Sequence, residues 1–145
     1  MWRSIAIILL MACLCPIAAY AETCTKENFE AVVDDAAAAL NELNAKHKPE
    51  FQAQLRRLKD MHGWDHDTFM KNAIPFVRDE QIVRYDQETA DHLARLSSLG
   101  EEGSSSAVPN CSLLVEVRET MDSLVAAQSA KWAYMFEKIE RALEP

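Results

Sequence analysis

The chain has 145 residues, with 15 Lys+Arg against 23 Asp+Glu and a formal charge of −8. That length suits one ordinary domain. The acidic balance excludes a general nucleic-acid binder, which needs a basic face to meet phosphate.

The first element in chain order reads as a signal for export. Arg3 supplies a positive charge, an apolar run extends from Ile5 to Leu14, and Ala19-Tyr20-Ala21 has the small-x-small form of a cleavage site. Together these predict a signal peptide over 1–21, and a mature domain over 22–145. The apolar run is shorter than the about 20 residues of a membrane span. Lipidation at Cys13, after Leu10-Met11-Ala12, is the alternative to cleavage after Ala21. The expected location is therefore periplasmic or secreted, with no membrane span after cleavage. Of the four cysteines, Cys24 and Cys111 remain in the mature chain. An even pair in an oxidising compartment predicts one disulfide.

The mature region is rich in Ala, Leu, Glu, Lys, Arg and Gln and lacks sustained alternation, so it reads as all-α. The first helix is expected over 26–62, with Thr25 as N-cap. Its seam of Phe29, Val33, Ala36, Leu40 and Leu43 continues in phase through His47, Phe51, Leu55, Leu58 and His62. Pro49 falls inside that seam, which predicts one kinked helix. Gly63 suits the left-handed position after it.

The second helix is expected over 66–99, capped by Asp65, bent at Pro75 and stopped by Gly100. A loop over 100–110 follows, containing Ser104-Ser105-Ser106. The third helix is expected over 111–143, with Asn110 as N-cap and a seam of Leu114, Val117, Met121, Leu124, Trp132, Met135 and Ile139, interrupted by the polar Gln128. Three helices of similar length predict an antiparallel three-helix bundle of long, Pro-kinked helices. Up-down-up order brings Cys24 and Cys111 to the same end, within reach of a disulfide.

That topology exposes a charge asymmetry. Residues 22–44 and 83–125, at the disulfide end, hold 4 Lys+Arg and 14 Asp+Glu, while 45–82 and 126–145 hold 10 and 9. A field of one sign steers a partner of the other. Asp34, Asp35, Glu116 and Glu119 are the expected contact residues for a protein with a basic surface.

A second candidate is the segment Met61-His62-Gly63-Trp64-Asp65-His66-Asp67. Imidazoles and carboxylates bind transition metals, so His62, Asp65, His66 and Asp67 form the candidate metal set. Against it, Gly63 breaks the helical face that would align His62 with His66. Paired Glu-x-x-His, Cys-x-x-Cys-His, Gly-x-Ser-x-Gly and His-Glu-x-x-His are all absent from the sequence, so neither a bound cofactor nor an enzyme is expected. The leading expectation is an exported, non-enzymatic interaction module (an adaptor, inhibitor, immunity or chaperone-like protein) that binds through its acidic end. The alternative is a metal- or small-ligand-binding bundle using His62 and His66. Long heptad seams can also pair between chains, which keeps a homodimer open.

Overall fold

A computed structural model describes residues 24–145. The expected signal peptide over 1–21, with Cys13, lies outside the described residues. The described chain is helical throughout: α1 Lys26–His62, α2 His66–Val77, α3 Glu80–Ser105 and α4 Cys111–Leu143.

Each start is set by a side chain that takes a backbone N–H left free in the first turn. Thr25 accepts from Asn28 N at 3.4 Å, Asp65 from Thr68 N at 2.8 Å, Asp79 from Ile82 N at 2.8 Å and Asn110 from Ser112 N at 3.1 Å. Pro49 sits inside α1, and Gly63 ends that helix in the left-handed conformation, at φ +62°. Its N–H and that of Trp64 close on the carbonyls of Asp60 and Lys59.

The structure corrects the expected second helix in two places, so the described residues form four helices where three were expected. First, the stretch 66–99 is not continuous: α2 ends at Val77 and α3 begins at Glu80. The break centres on Asp79. One of its carboxylate oxygens caps α3, while the other accepts from the Tyr134 hydroxyl at 2.8 Å and pairs with the Lys138 ammonium. Lys138 also donates to the carbonyl of Pro75, in the last turn of α2, where carbonyls lack helical partners. Three side chains thus satisfy the groups that the break exposes.

Second, the expected loop 100–110 shrinks, because α3 runs through Gly100 to Ser105. A glycine inside a helix costs only about 1 kcal/mol, and packing outweighs it here. Leu99 is buried, and a Cβ on Gly103 would stand 3.0 Å from the Leu113 side chain. Gly103 is therefore the residue that lets α3 approach α4 closely. The hydroxyls of Ser104, Ser105 and Ser106 donate back to the carbonyls of Glu101 and Glu102 and finish the last turn.

The centre of the fold is α4. Both α1 and α3 pack along it, whereas their backbones scarcely approach one another. α1 runs parallel to α4: Cys24 is bonded to Cys111, with Cα atoms 5.0 Å apart, and Asn44 accepts from Trp132 Nε1 at 3.1 Å. This seam is aromatic further along, where Phe51 meets Phe136 edge-on at 5.6 Å and His47 lies 5.8 and 5.3 Å from the Trp132 and Phe136 rings. α3 runs antiparallel to α4 along a polar ladder. Asp79 meets Tyr134 and Lys138, Asp86 meets Lys131, Thr89 accepts from Gln128 at 2.6 Å, and Arg95 meets Glu116. The polar interruption at Gln128 is thereby satisfied.

Two buried clusters result. One joins Phe51 and Leu58 of α1, Ile82 of α3 and Met135 and Ile139 of α4, with Trp64 and Phe76 packed over it from the α2 region. The other, at the disulfide end, joins Leu99, Leu113 and Val117, with Phe29, Val32, Leu96 and Met121 against it. Among the described residues, no helix is long and apolar enough to cross a membrane.

Candidate functional site

At the disulfide end the two flanking helices do not close over α4. Between them lies a cleft of about 790 Å³, within the range of ligand-sized cavities. Its walls come from 26–34 of α1 and 96–104 of α3, and its floor from Leu113, Val117 and Met121 of α4, which are spaced four apart on one helical face. The connection 106–110 closes one side.

The lining is mainly apolar, and it is graded. Leu99, Leu113 and Val117 are buried, Phe29, Leu96 and Met121 are half-buried, and Val33 and Val108 stand exposed at 43% and 73%. Exposed valines on the lips of a cleft are apolar surface kept in water, a cost that an occupant would relieve. Glu30 and Asp34 bring carboxylates to the α1 wall, and Lys26 pairs with Glu30 at 3.3 Å. The Cys24–Cys111 bond pins the starts of α1 and α4 beside it, and fixes the spacing of one wall and the floor.

The four carboxylates expected to make contact are distributed unevenly. Asp34 lines the cleft. Asp35 is exposed on α1, and Glu119 is exposed on α4. Glu116 is joined to Arg95 of α3 and serves the α3–α4 seam. Glu30 is a rim carboxylate that the sequence reading counted among the acids without assigning it a site, although its spacing of four from Asp34 was a usable signal. The lip residue Val108 gave no such signal, since it lies outside any helical period.

The His62–Asp67 segment has other occupations. The His62 ring stacks on Trp64 at 4.6 Å and 12°, Gly63 is the helix stop, and Asp65 caps α2. The Thr68 backbone bond, followed by the Thr68 hydroxyl, holds the Asp65 carboxyl below its usual range. His66 and Asp67 fall in the exposed first turn of α2. Among the described residues, no group of three or more His, Cys, Asp or Glu side chains is placed to hold a metal ion.

The most perturbed carboxyl is Asp79. Burial pushes it up, but the Lys138 ammonium, the Ile82 N–H and the Tyr134 hydroxyl outweigh burial and hold it at about 2. The same bond pushes the Tyr134 phenol up, because its proton is shared with a carboxylate. This is a structural junction between helices and lies at the other end of the molecule from the cleft. No protein-family model, no curated protein and no solved structure matches the chain.

Proposed function

We propose that the chain is an exported binding protein whose contact region is the disulfide end, with the cleft as its receptor. One observation carries this reading: an open apolar cleft coincides with the half of the molecule whose described residues, 24–44 and 83–125, hold 13 Asp+Glu against 4 Lys+Arg. Each part has a separate task. The acidic field draws in a cationic partner and speeds encounter, and the effect weakens with salt. The apolar lining then supplies affinity by removing exposed side chains from water. Structural disulfides form and persist chiefly in oxidising compartments, so the Cys24–Cys111 bond supports the periplasmic or secreted location.

The preferred partner is therefore a protein segment with an apolar insertion and basic flanks. The test is capture from the native compartment with three baits: wild type, the reversal of Asp34, Asp35 and Glu119 to Lys, which leaves the Glu116–Arg95 pair intact, and Val33→Glu combined with Val108→Glu. One and the same partner should be lost from both variants, the charge reversal acting most strongly at low salt. A partner retained by both variants would sink the reading.

A further inference from the structure

The other end of the molecule carries a surface complementary to the cleft. α2 has no buried residue. It keeps Phe69, Ala73 and Phe76 half-buried, while Met70, Ile74 and Val77 stand exposed at 54%, 54% and 45%. Spacings of four and three place those three on one face of the helix, as a stripe about 10 Å long. Lys71 borders the stripe, Arg78 stands at its end, and Lys59 of α1 lies over the Phe69 ring at 5.8 Å. Asp67 is the single carboxylate of α2.

The cleft mirrors these features. Its two walls and its floor each span nine positions of helix, about 13 Å. It is apolar within, and its α1 wall carries Asp34 and Glu30, the latter paired with Lys26, so that carboxylates outnumber cations there. An α2 helix cannot fill the cleft of its own molecule. Between Asp34 in the cleft and Lys59 beside α2, α1 runs as one helix for about 38 Å.

We propose that α2 of one copy docks, through Met70, Ile74 and Val77, in the disulfide-end cleft of a second copy. This names a partner for the cleft and so rests on the binding reading above. The two surfaces are different patches, so the contact is heterologous. Each copy that docks still offers a free cleft or a free stripe, and association continues past two chains unless a ring closes. One short helix against one cleft is a smaller contact than stable complexes use, so assembly depends on concentration. It also weakens with salt, because cations meet carboxylates at the rim.

The experiment is sedimentation velocity of the disulfide-intact protein over a concentration series, at low and high salt. Three samples are compared with wild type: Ile74→Glu, the pair Val33→Glu with Val108→Glu, and an equal mixture of the two. All three substituted residues are exposed, and matching helical circular dichroism and melting curves confirm that the variants fold. Wild type should associate as concentration rises, as an open series or as a ring closed by reciprocal contacts, and each variant alone should remain a single chain. The mixture should form a complex of two chains and stop, because only one intact cleft and one intact stripe are present.

A wild type that stays monomeric overturns the proposal. So does a mixture that fails to associate, or a stripe variant that still assembles. The two readings fail separately. A monomeric wild type whose captured partner is still lost on charge reversal and lip substitution overturns self-association alone. A chain that assembles as described, while its captured partner ignores both substitutions, overturns the hetero-partner reading alone.

Discussion

The two ends of this molecule are held by different means. At the α2 end, α1, α3 and α4 share a core of five buried side chains, with Trp64 and Phe76 laid over it and Asp79 tying the α2–α3 break to α4. At the disulfide end only Leu99, Leu113 and Val117 form the buried cluster, nothing corresponds to α2, and a covalent bond joins two of the three helices. This contrast accounts for the open cleft. A packed end gains stability by filling its space, whereas a cross-link stabilises largely by restricting the unfolded chain and leaves that space open. The covalent restraint thus lies at the end whose space is left open.

Removing the bond should have the largest effect. Cys24→Ser with Cys111→Ser opens a loop that spans 87 residues in sequence, and about 4 kcal/mol of stability should be lost. Chemical denaturation measures the loss. Hydrogen exchange should rise first over 24–34 and 106–117, while the Phe51–Ile139 core stays protected. Uniform loss of protection would mean that the ends are not separate.

Next in size is Ile139→Ala. Ile139 is 0% exposed and its removal should cost about 3 kcal/mol. Here the exchange pattern should be reversed, with the packed end loosening before the clasped one.

The smallest effect sharpens the role of Asp79. Its carboxyl is held at about 2 in the folded chain, below its unfolded value. A depressed carboxyl contributes stability that is complete above the unfolded value and is lost as pH falls towards the folded one. Asp79→Asn should therefore cost about 2 kcal/mol near neutrality and flatten the acid limb between about pH 4 and pH 2. An acid limb as steep as in wild type would place the relevant titration elsewhere.

Much of the fold was legible because its signals are local. The seam of α1 stays in phase across Pro49, Thr25, Asp65 and Asn110 are caps readable from residue type, and Gly63 is a stop readable from its place after His62. The Cys24–Cys111 pairing followed from compartment and topology. What was not legible depends on residues far apart in the chain. The break at Arg78–Asp79 needs Tyr134 and Lys138, which lie 55 and 59 residues beyond Asp79. Gly100 failed as a stop because Gly103 meets Leu113 on another helix. At the candidate site, the charge asymmetry could be read from composition. The cleft could not, because it arises from how far apart α1 and α3 sit on α4. Nor could the pairing of Glu116 with Arg95, which removes one of the expected contact residues from the rim.

The position of α4 has a further consequence, for the order of events during synthesis. The helix against which both α1 and α3 pack is the last of the four to be made. Until it emerges, neither earlier helix has a surface on which to complete its core, and Cys24 has no Cys111 to meet. An incomplete chain of this design gains little by folding early. It stays pliable while it is being made, and it becomes a rigid body only once the hub is present.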